Sequence, residues 1–202
     1  MALSKIDVEN MVTGEVNVAN GGTGLSSGTS GQILKFSNST TLASAAEAAG
    51  GKLLQTQSAS FTSQSAHNSQ TFSASNFTDQ ITPSASNSKI LVQFQFRSHV
   101  YQASNTEVQS MLAVFRQING GGYSQIYPSS DSSSWGMSVA TGERGFWCTP
   151  QINFLDTSHN TTNAIDYTVY ARRRLSTSGS VNVGGSSHIA QVVLMEIAAW
   201  LI

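Results

Sequence analysis

The side chains of this chain that could act as acids, bases, nucleophiles or metal ligands are few, and their spacing matches no catalytic or metal-binding motif. None of the four histidines belongs to an HxH or HExxH pair; they are His67, His99, His159 and His188. A glycosidase would need two carboxylates paired in a cleft, and the sparse candidates are Asp131, Glu143, Asp156 and Asp166. We therefore expect no catalytic residue, no metal site and no cofactor, and we expect that the protein is not an enzyme.

Aromatic side chains are better candidates for recognition, because a ring offers a large contact surface at a low entropy cost. The connection from Asn119 to Gly136 combines three consecutive glycines with residues that could contact a saccharide. Its candidate ligand-binding residues are Tyr123, Tyr127, Asp131 and Trp135. The alternative for Trp135 is that it begins a strand and packs into the core. A second candidate loop, residues 156–163, carries His159.

Two further features have ordinary structural interpretations. Arg172, Arg173 and Arg174 form the only basic cluster, but consecutive residues of a strand point to opposite faces. We expect these arginines to pair with acidic side chains, and the alternative is binding of an anionic glycan. Cys148 lies in the apolar run GFWCTP, which predicts a buried and unreactive thiol.

The composition argues against several functional classes. Charged residues make up 10% of the 202 residues and the formal net charge is -1, so the chain has no long-range attraction for nucleic acid. No apolar run approaches the ~20 residues of a membrane helix, and we expect no membrane insertion. Hydrophobic residues make up 39% of the chain, which is enough to build a core.

Alternation of apolar and polar residues dominates the chain after about residue 52. In Lys89 to Arg97, for example, Ile90, Val92, Phe94 and Phe96 fall on one face, as in a half-buried strand. The other strand candidates are Lys52 to Thr56, Gln70 to Phe77, Met111 to Arg116, Trp135 to Val139, Gly145 to Phe154, Ile165 to Ala171, Ser180 to Val183 and Ile189 to Ala199. Such short strands, separated by frequent turns, predict an all-β fold with an antiparallel, jelly-roll-like β-sandwich over residues 52–202.

Residues 1–50 differ from the rest, because they contain no Trp, Tyr or Pro and a single Phe. The glycine-rich run from Asn20 to Gln32 has almost nothing to bury, so we expect an extended arm that a partner orders. The helix formers of Leu42 to Ala49 predict a junction helix or turn. Apolar residues near the start of the arm are the candidates for docking to a larger particle, and they are Leu3, Ile6, Val8, Met11, Val12, Val16 and Val18.

A resemblance to a known family rests on this arm and on pieces of the β-domain. The run MALSKIDVENMVTGEVNVANGGTGLSSGTSGQILKF, Met1 to Phe36, resembles a segment that recurs in tail-fibre and other virion fibre proteins of tailed bacteriophages, especially phages of marine bacteria. The β-domain is similar to one that follows this arm in such proteins, through GKLLQ (51–55), ITPSASNSKILV (81–92), TPQINFLD (149–156) and VVLMEIAA (192–199). The resemblance implies a homotrimeric, non-enzymatic structural protein.

These features together predict a phage virion fibre protein, either a tail fibre or a capsid fibre, that is assembled in the bacterial cytoplasm. We expect the arm to dock to other virion proteins and the β-domain to form trimers. The domain would then project from the particle and attach to the host surface, with a cell-surface glycan as the expected ligand. The alternative is a capsid decoration or tail connector protein without receptor binding. A polysaccharide-cleaving enzyme is disfavoured, because the acid pairs that such an enzyme needs are lacking.

Overall fold

The computed structural model of the chain describes residues 23, 29–39, 41–46, 51–102, 108–128, 138–139, 144–174, 179–184 and 189–199. The chain divides into two units, Met1–Ala49 and Gly50–Ile202. The described residues contain fifteen strands and no helix. In chain order the strands are β1 (Ile33–Phe36), β2 (Leu42–Ala45), β3 (Leu53–Phe61), β4 (Gln64–His67), β5 (Ser73–Ile81), β6 (Lys89–Gln95), β7 (Ser98–Gln102), β8 (Val108–Ile118), β9 (Ser124–Tyr127), β10 (Ser138–Val139), β11 (Arg144–Cys148), β12 (Gln151–Asp156), β13 (Ile165–Arg174), β14 (Ser180–Gly184) and β15 (Ala190–Ile197).

In the first unit, β1 and β2 form an antiparallel hairpin in which Phe36 pairs with Leu42. The Ser37 N–H closes the turn by donating to the Thr41 carbonyl at 2.9 Å. The expectation of a helix or turn from Leu42 to Ala49 is therefore wrong for Leu42–Ala45. Pairing with β1 satisfies the backbone of these residues, whereas a helix this short is marginal on its own. Residues 47–50 and 1–22, and with them every docking candidate from Leu3 to Val18, lie outside the described residues.

In the second unit, four segments of the chain, which we call passes, each contribute one strand to a first sheet and the adjoining strand to a second sheet. One sheet has the strand order β12-β6-β15-β3 and the other has the order β11-β7-β14-β4. The pass that contains β6 and β7 is interrupted at residues 96–97, and the predicted strand from Gly145 to Phe154 is divided at Thr149 and Pro150. Pro150 has no N–H to donate to a ladder. The Phe96 N–H donates to its carbonyl at 3.3 Å, so the two sheets stay joined at the interruption.

A third sheet, with the order β10-β8-β13-β5 and with β9 beside β8, forms the opposite layer. Every strand pair in the described residues is antiparallel. Apolar side chains from both layers meet in one core, including Phe77 and Ile165 from the third sheet and Phe94 and Leu194 from the first. The all-β fold and the antiparallel β-sandwich are therefore confirmed.

The two strands with apolar residues on both faces, β8 and β15, differ in how much of their outer face is covered. On β8, Met111 and Ala113 face away from the core, yet they are only 2% and 0% exposed. The apolar character of β8 thus requires no partner subunit. On β15, by contrast, the outward residues Val193, Met195 and Ile197 are only half-buried.

The inner face of β15 carries a completely buried carboxylate, Glu196. Gln55 Nε2 donates to one carboxylate oxygen at 2.6 Å, and the Ser84 N–H and hydroxyl donate to the other, each at 2.8 Å. Burial alone would raise the pKa of Glu196, but these donors stabilise the charged form and hold the pKa below its ordinary value. Through its hydrogen bonds with Ser84, Glu196 therefore links the connection after β5 to strand β15.

Candidate functional site

The described part of the first predicted recognition loop is the hairpin between β8 and β9. Asn119 and Gly120 both have left-handed backbone angles, with φ of 50° and 70°, which Asn and Gly adopt more easily than other residues. The Gly121 N–H donates to the Ile118 carbonyl at 3.0 Å. This turn places Tyr123 immediately before β9.

The ring of Tyr123 completes a surface cluster, the Tyr123 patch, on the outer face of β8 and β13. The ring centroids of Tyr123 and Tyr170 are 5.7 Å apart, and Tyr170 stacks on Phe115 at 4.0 Å. Phe115 meets Phe72 edge-on at 5.7 Å, and the Arg172 guanidinium carbon lies 4.8 Å from the Phe72 ring centroid. Tyr123 is 40% exposed, so part of its surface is available to a ligand.

The chemistry of the Tyr123 patch is amphipathic. Burial, with a smaller contribution from Tyr123, raises the pKa of Tyr170, so its hydroxyl stays protonated near neutral pH. Two phenol groups and the guanidinium of Arg172 thus border an aromatic surface. Aromatic rings can stack against the apolar faces of sugar rings, while the hydroxyls and the guanidinium can hydrogen-bond to sugar hydroxyls.

Tyr127 does not share this surface. Its ring lies parallel to that of Phe154 in the opposite layer, with centroids 4.7 Å apart and an interplanar angle of 3°, and it packs against the hydrophobic core. On β9 it pairs with Val114, whose side chain points inward. The expectation that Tyr127 contacts a ligand is corrected, because the shift in register between Val114 and Phe115 turns its ring into the sandwich. Asp131 and Trp135 lie outside the described residues.

The second predicted loop is fixed at its start by Asp156, the last residue of β12. Arg116 Nη1 lies 2.9 Å and 2.7 Å from the two carboxylate oxygens, and the buried hydroxyl of Tyr167 donates to Oδ2 at 2.7 Å. The Ser158 N–H donates to Oδ1 at 3.0 Å. Burial would raise the pKa of Asp156, but the donors Ser158, Arg116 and Tyr167 together lower it below its ordinary value.

His159 belongs to the same structural network rather than to a ligand surface. The residue is buried, and its Nε2 lies 2.7 Å from the Ser88 carbonyl while its Nδ1 lies 3.1 Å from the Thr161 carbonyl. Both ring nitrogens face acceptors of the protein itself. The prediction that His159 contacts a ligand is corrected for this reason, since spacing in the sequence could not show where the imidazole points.

The arginine cluster and the cysteine also take structural positions. Arg173 is buried and donates to the Gly179 carbonyl at 2.6 Å, a backbone partner in place of the expected carboxylate. Arg172 donates to the Gln70 carbonyl at 3.3 Å, and Arg174 is exposed. Cys148 is half-buried, and burial raises the pKa of its thiol, as expected for a cysteine of low reactivity.

Sequence reasoning missed a second aromatic cluster, the Trp147 stack, on the outer face of β11 and β7. The rings of Trp147 and His99 stack with centroids 3.7 Å apart, and the Arg97 guanidinium carbon lies 3.5 Å from a Trp147 ring centroid. A side chain at Gly145 would clash with the His99 ring. Burial and the nearby Arg97 lower the pKa of His99. The signal available in the sequence was strand alternation, which turns His99 outward on β7 and Trp147 outward opposite it on β11.

Within the described ranges, no three His, Cys, Asp or Glu side chains come together as a metal-binding group. The same part of the chain includes no helix long and apolar enough to cross a membrane.

Comparisons with known proteins give only weak structural neighbours. No protein-family model matches the chain, and no curated protein sequence matches it significantly. One solved structure, of the infectious bursal disease virus Gx strain, is 13% identical with a TM-score of 0.34. Another, of the infectious bursal disease virus VP2 subviral particle, is 13% identical with a TM-score of 0.30. Each match covers 84% of this chain, and this chain spans less than half of each matched chain, 43%.

Proposed function

We propose that this chain is a structural component of a virus particle, namely a fibre protein of a tailed bacteriophage that attaches the particle to its host. The observation that carries the proposal is the division into two units with different surfaces. The described hairpin of the first unit exposes apolar side chains. The second is a β-sandwich with its own core. The sequence resemblance of residues 1–36 to virion fibre arms supports the same interpretation.

Docking of the first unit to other virion proteins is supported by its hairpin. Ile33, Leu34 and Phe36 on β1 are all exposed, Phe36 to 61%. A two-stranded hairpin is at best marginally stable in water without a surface to pack on. A partner protein that covers these residues, together with the predicted docking residues from Leu3 to Val18, would supply that surface.

Assembly of three copies is supported by the outer face of the sheet β12-β6-β15-β3. Five aliphatic side chains on this face form what we call the apolar row. Leu155 pairs with Leu91, Leu91 pairs with Met195, and Ile197 pairs with Leu53 on the neighbouring strands. Leu155 and Leu53 are exposed, and the other three are half-buried. Copies of this chain are the proposed occupants of the apolar row, because burial of exposed aliphatic side chains is the usual driving force of association.

Attachment to the host surface would then draw on repeated weak sites. A single exposed cluster such as the Tyr123 patch supports modest affinity for a glycan, about millimolar or -4 kcal/mol. Linking three such sites raises the apparent affinity by roughly 10² to 10⁴. Host-surface adhesion through a glycan is therefore the function that this geometry favours.

The second candidate is a capsid decoration or tail connector protein that binds no receptor. The inward positions of Tyr127 and His159 favour it, because they remove two predicted ligand contacts from the surface. The two candidates differ in a single measurable property, which is saturable binding of the isolated protein to host cells.

The test begins with the virus particle. Gold-labelled antibodies raised against the β-sandwich should decorate purified virions at defined positions, and particles without label would overturn the proposal. A variant without residues 1–20 should keep the thermal unfolding transition of the β-sandwich yet fail to enter virions. Saturable binding of the full-length protein to host cells would establish adhesion, whereas labelled virions without such binding would establish the decoration role.

A further inference from the structure

A trough on the outer face of the sheet β12-β6-β15-β3 is lined by five side-chain amides. Its volume is about 220 Å³. The amides are those of Gln93, Gln95, Gln151, Asn153 and Gln191, and Val193 and Phe94 complete the lining. No charged side chain is among the lining residues. We call this depression the amide trough.

The register of the sheet sets the spacing of the amides. Gln151, Gln95 and Gln191 stand side by side in one row across three strands. Asn153 and Gln93 stand beside each other in the next row, which Val193 completes. Neighbouring strands are about 4.8 Å apart, and successive outward residues of one strand are about 6.7 Å apart. The result is a regular grid of Gln and Asn positions on one sheet face.

These amides are not used by the fold. In the described part of the chain, none of the five side-chain amides has a hydrogen-bond partner within the protein. Amides elsewhere on the domain do have such partners: Gln117 Nε2 donates to the Gly121 carbonyl at 2.5 Å, and Gln125 Nε2 donates to the Pro128 carbonyl at 2.7 Å. The amide trough therefore concentrates hydrogen-bonding groups that an external ligand could engage.

An aromatic surface follows the trough along the same passes of the chain. Beyond Gln95, the next outward residue is Arg97, whose guanidinium lies over Trp147. On the neighbouring pass, Trp147 follows Gln151 in the same outward alternation, with Thr149 between them. Trp147 is 45% exposed. A ligand longer than the trough would thus extend toward the Trp147 stack.

We propose that the amide trough binds a neutral saccharide. Each amide offers both a donor and an acceptor, and a sugar hydroxyl can match either role. The absence of charge in the lining gives no preference for an anionic ligand, and the nearby aromatic surface suits the apolar face of a second sugar ring. This inference deepens the proposed adhesion function, on which it rests for its biological setting, and places the main glycan contact on a sheet face rather than on a loop.

The probe for the test is an array of neutral oligosaccharides of glucose, galactose, mannose and N-acetylglucosamine, with uronic-acid oligosaccharides for comparison. Full-length protein should bind at least one neutral oligosaccharide, with an affinity that does not change between 50 and about 500 mM salt because no ion pair forms. The double variant Gln95→Ala, Gln151→Ala should bind roughly tenfold more weakly or worse, since two neutral hydrogen bonds are lost.

Two further variants keep the result interpretable. Val193→Phe fills the trough and leaves all five amides in place, so it should also reduce binding. Gln64→Ala removes an exposed amide from β4, outside the trough, and should bind like the unmodified protein. Unchanged binding by both trough variants would overturn the proposal, as would a strict preference for uronic-acid oligosaccharides that salt abolishes.

The outcome is separable from that of the proposed function. If the protein binds host cells saturably but binds no array saccharide, adhesion stands and the saccharide site is overturned. If the trough variants instead lose the association of subunits, the trough itself, and not only the apolar row beside it, lies between copies of the chain, and the saccharide proposal is likewise overturned. Saccharide binding by the purified protein would support the site even if antibodies failed to label virions.

Discussion

The Tyr167 hydroxyl donates a 2.7 Å hydrogen bond to Asp156 Oδ2, and this contact joins the two layers of the β-sandwich. Tyr167 lies on β13 in one layer, and Asp156 ends β12 in the other. Arg116 on β8 contacts the same oxygen at 2.7 Å. A tyrosine, an arginine and a carboxylate thus cross-link three strands where the apolar core ends.

Removing the carboxylate should destabilise the domain strongly. Asp156→Ala leaves the Arg116 guanidinium and the Tyr167 hydroxyl partly buried without their acceptor, and we expect a loss of about 3–5 kcal/mol in the free energy of unfolding. Urea denaturation followed by tryptophan fluorescence measures it. Asp166→Ala is the matched control, because among the residues that the structure describes half-buried Asp166 accepts a side-chain bond from Gln80 alone, and its cost should stay below about 1 kcal/mol. Equal costs for the two variants would contradict the role of the network.

The stability of the domain should fall in acid. The pKa values of Asp156 and Glu196 are both lower in the folded state than their ordinary values, which are about 3.9 and 4.3 in an unfolded chain. Their contribution is therefore complete above about pH 5 and is lost as the pH falls through the unfolded-state and then the folded-state values. Thermal unfolding between pH 7 and 2.5 measures the loss. Glu196→Gln should lower the midpoint at pH 7 and flatten the acid slope, and an acid slope as steep as that of the unmodified protein would exclude Glu196 as a cause.

Two tyrosines of the same hairpin should respond in opposite ways. Tyr123→Ala removes an exposed ring from the Tyr123 patch and should weaken cell binding while leaving the thermal midpoint nearly unchanged. Tyr127→Ala removes a ring stacked on Phe154 and should cost about 2 kcal/mol of stability, less than the ~3–5 kcal/mol for a fully buried ring. Differential scanning calorimetry and cell-binding assays on both variants separate the effects. A destabilised Tyr123 variant would mean that the ring serves the fold.

The apolar row should control association. Leu155→Gln places an amide among Leu91, Met195 and their neighbours, and it should shift the protein from trimer to monomer in size-exclusion chromatography with light scattering. Ile189→Gln changes an apolar residue that is 68% exposed and lies before β15, so it should leave the mass unchanged. A Leu155→Gln variant that remains fully trimeric at micromolar concentration would place the subunit contact elsewhere.

The sequence predicted the fold well wherever the alternation was strict. Lys89 to Arg97 and Ile165 to Ala171 alternate with period two, and both are strands with the expected buried face. Leu42–Ala45 became a strand against its local propensity, because a pairing partner outweighs a weak helical preference. The predicted strand from Gly145 to Phe154 is divided at Pro150, which lies beside the interruption at residues 96–97. The sequence does not show that these two segments are neighbours, so the division could not be predicted from it.

The candidate sites were harder to predict, because residue type does not reveal direction. Tyr123 and Tyr127 are four positions apart, so alternation alone would place both on one face. The shift in register between Val114 and Phe115 turns only Tyr127 inward. His159 lies in a polar loop of the sequence, yet its ring is buried. One of its two backbone partners, the Ser88 carbonyl, is 71 positions away in the chain. The amide trough gathers residues from three strands that are distant in the chain, so its grid exists only once the register is known.

The position of β15 has a consequence for how the domain is made. This strand is the last one in the chain that the structure describes, yet it lies inside its sheet, between β6 and β3. Until the ribosome has released these residues, β3 and β6 each present an unpaired ladder edge, and such edges invite pairing between nascent chains. A product truncated before residue 190 would keep both edges open and expose the core below them. Synthesis of β15 is therefore the step that closes this sheet, because no earlier strand in the described residues can pair with both β6 and β3.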